Sequence, residues 1–170
     1  RRVGDLARER GVTPLDVMCE IAVEEDLATR FRAYIANDDP DEVAHLLTHE
    51  HVALGLSDAG AHVDQLCDAP LSTDLLGTWV RERQVLTVEQ AVHMLSARPA
   101  DIFGFAGRGH LRRGDWADVV VFDPDTVAPG PTTRVRDFPA DGERLTCEQP
   151  VGVRHVLVNG TPIRRDEVQL

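Results

Sequence analysis

The chain has 170 residues, 42% of them hydrophobic, and 29 Asp and Glu stand against 18 basic residues for a formal charge of −11. That balance argues against nucleic-acid backbones and anionic membranes as partners, and no apolar run approaches the roughly 20 residues of a membrane helix. Every basic residue is arginine, so a Schiff base, a carboxylated bridging lysine or a P-loop lysine is excluded within these residues.

The cysteines Cys19, Cys67 and Cys147 are odd in number and far apart. They argue against a zinc ribbon or disulfide framework and fit a reducing, cytoplasmic setting. Arg1-Arg2-Val3-Gly4-Asp5 is followed by no apolar h-region, so no secretory signal is read there. Nor does the chain start with Met, and the expectation is a portion of a longer protein.

In chain order, Val3, Leu6, Ala7 and Arg10 have helical spacing that stops at Gly11. Thr13-Pro14 opens a second helix, with Thr13 as cap and Pro14 at the first helical position. Phe31–Ala36 is rich in strand formers and runs into Asn37-Asp38-Asp39-Pro40. Those acids suit a metal, but an acidic helix start explains them better. A short helix over 41–47 and an apolar strand over 52–56 complete a strand–helix–strand unit, which predicts parallel pairing.

The stretch Val52-Ala53-Leu54-Gly55-Leu56-Ser57-Asp58-Ala59-Gly60-Ala61-His62 organises the rest. A continuous apolar run suggests a strand covered on both faces, delivering a carboxylate to its C-terminal end. The carboxyl ends of such strands are where α/β proteins place their chemistry. Ala59-Gly60-Ala61 leaves room for a ligand close to the backbone. The same residues also read as an N-cap Asp in a tight turn.

Helices are predicted over 71–84 and 87–98, the second opened by the capping box Thr87-Val88-Glu89-Gln90, and Pro99 ends it or begins a short further helix. After Gly104 the pattern changes. Residues 107–115 are rich in turn formers, 117–123 form a strong strand, and 124–150 read as irregular and surface-running. A strand over 152–158 meets Asn159-Gly160, a strong hairpin signal, and Thr161-Pro162-Ile163 starts the return. The chain therefore divides into an α/β part over 1–105 and a β part over 106–170.

Three elements in this order carry a family likeness. They are the apolar strand ending in Ser57-Asp58-Ala59-Gly60, the helix pattern Leu86-Thr87-Val88-Glu89-Gln90-Ala91-Val92 with Leu95-Ser96 and Pro99-Ala100, and the segment Arg108-Gly109-His110-Leu111 through Gly114-Asp115-Trp116-Ala117-Asp118 to Asp123 with the late Val156–Gly160. Together they resemble the C-terminal portion of the metal-dependent amidohydrolase superfamily, in its D-aminoacylase (N-acyl-D-amino-acid deacylase) branch.

The resemblance implies an α/β fold, the C-terminal part of a TIM-like metallo-hydrolase barrel followed by strands of a small β-sandwich. Residues 52–57 would be the eighth barrel strand and 108–163 the returning sandwich strands. It implies hydrolysis of the amide of N-acyl-D-amino acids, with zinc as cofactor and small-molecule amides as substrates. In this family the acid at the end of the last barrel strand touches the metal and handles the proton of the attacking water. Asp58 occupies that place, as catalytic residue and metal ligand, with Gly60 and His62 beside it as substrate-binding residues.

His62 alternatively serves as a polar loop residue. Two other functions are weighed: a non-catalytic remnant acting as an assembly module, and a hydantoinase- or dihydropyrimidinase-like opening of cyclic amides. Exposed faces where further barrel strands would pack favour a homo-oligomer.

His49-Glu50-His51 precedes a strand rather than ending one, which puts it at the stability face of a barrel. His45 and His49 stand four apart with no third ligand nearby. All three are expected to be surface or loop histidines, while Asp118 and Asp123 are expected to be structural. Catalytic zinc takes three protein ligands, so residues 1–170 by themselves are expected to be inactive and to bind no catalytic metal tightly.

Overall fold

A computed structural model describes all 170 residues, which form two compact units, Arg1–Asp38 and Asp39–Leu170. In the first, α1 (Val3–Arg10) and α2 (Pro14–Glu24) form a helical hairpin. Gly11 ends α1 in the left-handed region at φ 70°, a conformation open to glycine at little cost. Thr13 opens α2 with a capping box: its hydroxyl accepts the Asp16 N–H at 3.2 Å, and the Asp16 carboxylate accepts the Thr13 N–H at 3.2 Å. Arg10 reaches Glu20 across the hairpin at 2.9 Å.

The second unit begins with α3 (Pro40–Thr48), capped by Asp39, whose Oδ1 accepts the N–H groups of Asp41 at 2.9 Å and Glu42 at 3.3 Å. The acidic run before Pro40 is thus a helix start, as expected. Next in the chain, α4 (Leu71–Asp74) continues directly into a π-helical segment, Leu75–Glu82. Then come α5 (Val88–Leu95) and α6 (Ala97–Phe103). The predicted helix over 87–98 breaks at Ser96, and Pro99 lies in the first turn of α6, where its missing N–H has no intrahelical partner to lose.

Strands β1 (Val119–Phe122), β4 (Val153–Val158), β5 (Thr161–Arg165) and β6 (Val168–Gln169) form one antiparallel sheet in that spatial order. The Asn159-Gly160 turn joins β4 to β5 with both residues at positive φ, as the hairpin signal predicts. A separate hairpin pairs β2 (Thr132–Phe138) with β3 (Gly142–Cys147). The core lies where helices meet sheet: Leu75, Leu76, Leu86, Ala91 and Met94 pack with Val127 and Val153, flanked by Phe122 and Val156.

Two predictions fail. Neither 31–36 nor 52–56 forms a strand, and no parallel pair exists; every ladder is antiparallel. Residues 52–57 run without regular structure, with Leu54 against the core and Leu56 100% exposed, while Ile35 is 95% exposed. The physical reason is partnership. Strand propensity is expressed only when a neighbour completes the ladder, and no strand of this chain pairs with either run. The third difference is the β2–β3 hairpin, which stands inside the segment expected to be irregular.

Candidate functional site

The run Val52–Ser57 delivers Asp58 into a tight turn. The Ala61 N–H bonds the Asp58 carbonyl at 2.9 Å, and the Ser57 hydroxyl accepts the Ala59 N–H at 3.4 Å. Gly60, at φ 91°, supplies a left-handed position that a side chain would strain. A second turn follows, with the N–H groups of Gln65 and Leu66 on the His62 carbonyl at 2.7 and 3.0 Å. Asp58, Gly60 and His62 therefore share one short exposed loop. No helix starts at Asp58, the next beginning at Leu71, so the N-cap alternative is not what the fold uses. The carboxylate is exposed and has no ion-pair or hydrogen-bond partner within the chain.

Contacts distant in sequence hold this loop. Val63 accepts the Leu145 N–H of β3 at 2.7 Å, and the Arg134 guanidinium of β2 donates to the Asp64 carbonyl at 2.8 Å. Arg134 and Leu145 thus fasten the candidate loop to the β2–β3 hairpin. Sequence reasoning missed both, because contacts onto backbone carbonyls from residues 70 or more positions away leave no local pattern.

The other histidines behave as expected. His49 ends α3 and accepts the His51 N–H at its Nδ1 at 3.2 Å, and His51 lies 3.6 Å from Glu50. His45, His49 and His51 are exposed. No group of three or more His, Cys, Asp or Glu side chains comes together to hold a metal ion.

Asp118 and Asp123, expected to be structural, each sit in a hydrogen-bonded charge cluster. Asp118 pairs with Arg108 and accepts the Asn159 N–H at 2.8 Å, while Arg108 donates to the Asn159 side chain at 2.9 Å and lies over the Trp116 ring. The Asn159 N–H, seconded by the Arg108 guanidinium, holds the Asp118 carboxyl below the usual carboxylate range. Asp123 is lowered in the same way, by the Asp125 N–H first and by Arg154, which reaches it at 2.7 Å.

A cavity of ≈ 540 Å³ opens beside this cluster, between α5, α6 and the strands β1 and β4, with Leu95, Pro99, Phe105 and Val156 in its walls. No residue of the Asp58 loop lines it. By its chemistry it is a packing groove of the helix–sheet junction, and the candidate site is the Asp58 loop.

Comparison with known proteins places this arrangement. A sequence model of the amidohydrolase family matches residues 1–164. N-acyl-D-glutamate deacylase of Alcaligenes xylosoxydans xylosoxydans is 39% identical over 138 residues, which are 76% of this chain and 25% of the relative. Among solved structures, D-aminoacylase shares 31% identity over 99% of this chain and 32% of its own, with a TM-score of 0.60. N-acyl-D-glutamate deacylase from Bordetella bronchiseptica, complexed with zinc and a phosphonate mimic of the tetrahedral intermediate, shares 32% identity over 96% and 31%, with a TM-score of 0.53. The chain spans about a quarter to a third of the length of these relatives. Matched over nearly its whole length, the chain belongs to the amidohydrolase family.

Proposed function

We propose that these residues are the C-terminal portion of an amidohydrolase that cleaves the amide of N-acyl-D-amino acids, with Asp58 as its proton carrier. The observation that carries the proposal is the likeness to deacylases of N-acyl-D-amino acids along almost the entire chain. In this reading 52–57 is the last strand of a TIM-like barrel, ordered when its neighbouring strands are present. Residues 1–105 belong to the barrel and 106–170 to a β-sandwich. The exposed, unpartnered carboxylate of Asp58 is suited to the role: it can take a proton from the attacking water and hand it to the leaving amine. Gly60 leaves the backbone open to substrate, and His62, in the same loop, is the residue assigned to orient it.

Zinc is the proposed cofactor of the complete enzyme, since one similar structure is a zinc complex. When bound, a divalent metal brings the pKa of water towards neutrality. The donor set here is Asp58 alone, short of the three ligands of a catalytic zinc site, so the other ligands would come from outside residues 1–170.

The test is Asp58→Asn in the full-length protein, assayed on N-acyl-D-glutamate and on neutral N-acyl-D-amino acids. Turnover is expected to fall by roughly 10²–10⁴-fold, the usual contribution of a positioned acid–base group. Unchanged turnover removes Asp58 from the mechanism. A wild type that opens cyclic amides but leaves linear N-acyl-D-amino acids intact overturns the substrate class.

A further inference from the structure

Asn159 and Gly160 form the two-residue turn between β4 and β5, at φ 51° and 79°, and both are exposed. Asparagine followed by glycine is the dipeptide most open to spontaneous loss of the side-chain amide, because glycine has no Cβ to shield its backbone nitrogen. With both residues at the surface, burial gives no protection, and hydrogen bonds are what can supply it. Both N–H groups of the turn are held by two consecutive residues. The Asn159 N–H donates to the Asp118 carboxylate at 2.8 Å, and the Gly160 N–H donates to the Ala117 carbonyl at 2.9 Å. Asp118 is fixed in turn by Arg108, whose guanidinium also donates to the Asn159 side-chain oxygen at 2.9 Å.

We propose that Asn159-Gly160 is a latent modification site, kept closed to succinimide formation and deamidation by Ala117 and Asp118. In that reaction the Gly160 nitrogen loses its proton and attacks Asn159 Cγ. A new N–C bond forms, the bond from Cγ to Nδ2 breaks, and ammonia leaves carrying the proton. Water then opens the ring at either carbonyl, giving aspartate or isoaspartate at position 159. The nitrogen cannot attack while its proton lies on the Ala117 carbonyl, so that bond must break first. Asp118 opposes the opening as a positioning residue, since its charge-assisted bond holds the adjacent N–H of the same turn. Arg108 acts both ways: it polarises the amide carbonyl towards attack, yet it fixes the side chain. The restraint on the nitrogen decides, because a polarised carbonyl still needs a free nucleophile. Isoaspartate adds a backbone atom to a two-residue turn, which breaks the Val158–Thr161 pairing.

The wild-type 170-residue chain is held at mildly alkaline pH, native and in urea, then digested and mapped by mass spectrometry for deamidation. Asn37, before Asp38 in the first unit, is read in the same digest to normalise for urea itself. Asn159 is expected to convert roughly tenfold or more slowly in the native chain, the factor that one hydrogen bond of ordinary net strength supplies. In native Asp118→Ala the rate at Asn159 is expected to rise by roughly tenfold, on the same ground. Thr87→Ala removes a cap of α5 and touches no partner of the turn, so it is expected to leave that rate unchanged. Amide hydrogen exchange needs no variant: the Gly160 N–H is expected to be protected in the native wild type. Should Asp118→Ala not fold, this exchange and the two wild-type rates decide. Equal native and urea rates, a freely exchanging Gly160, an Asp118→Ala rate equal to wild type, or an equal rise in Thr87→Ala each overturn the proposal.

Discussion

Asp118 holds the turn before β1 to the hairpin that follows β4, through the Asn159 N–H and the Arg108 guanidinium. Its lowered pKa fixes the sign of a pH effect. A carboxyl lowered on folding stabilises at pH above its unfolded value, near 3.9, and that stabilisation is lost as pH falls through the folded value. Asp118→Asn keeps the shape and removes the charge, so its melting temperature is expected to lie a few degrees below wild type at neutral pH, the order of effect of losing one such interaction. The gap should begin to narrow as pH falls below about 3.9 and close only as pH passes below the lowered folded value, where the native wild-type carboxyl also protonates. Thermal melts across that range check this, and a gap independent of pH would show that the charge has no part in it. Asp58 differs in kind. Its place at the end of an apolar run was legible because that run is local. The anchors of its loop were not, since Arg134 and Leu145 reach Asp64 and Val63 from residues far along the chain.

The same distinction between local and long-range signals operates on whole elements. Capping is short-range chemistry: the Thr87–Gln90 box stands where the sequence places it, and Thr13, expected as a cap, forms a further box with Asp16. Thr87 accepts the Gln90 N–H at 3.2 Å and donates its own N–H to the Gln90 side chain at 2.8 Å. Thr87→Ala is expected to cost roughly 0.5–2 kcal/mol, the range for losing an N-cap, seen as a lower urea midpoint at unchanged slope. Packed against the sheet by α5, Met94 belongs to the core, and Met94→Ala is expected to cost about 2–5 kcal/mol because the vacated volume fills only in part. If both variants unfold with wild type, α5 contributes no stability. The β2–β3 hairpin escaped hydrophobic periodicity because charge carries much of it: Arg134 and Arg136 both reach Glu143, and Arg144 reaches Asp137 at 2.6 Å. An alternation of Arg, Asp, Glu and Thr reads as loop by composition, yet cross-strand pairs of opposite charge stabilise a ladder. Strand signals failed in the opposite direction at 31–36 and 52–56. Propensity was present there, but the partner strands were not.

At the scale of the molecule, that lack of partners leaves apolar surface facing solvent. Leu56 and Ile35 are nearly or fully exposed, and Phe103, Phe105 and Leu111 are exposed as well, while β1 leaves one edge of its sheet unpaired. Exposed apolar side chains and open sheet edges favour association. The chain's charge of −11 opposes it, but repulsion between surface charges is screened beyond about 8 Å at physiological salt, so the contact term is expected to win there. The 170-residue chain should therefore elute from a sizing column as a dimer or larger species at physiological salt and shift towards monomer as salt is lowered. It should also show no zinc-dependent deacylase activity, because association of identical chains adds further copies of Asp58 and no grouped metal-ligand set. A 170-residue chain that is monomeric at physiological salt would show that charge outweighs the exposed apolar faces. One that hydrolyses N-acyl-D-amino acids with zinc would show that a complete metal site can assemble from residues 1–170, against the three-ligand argument.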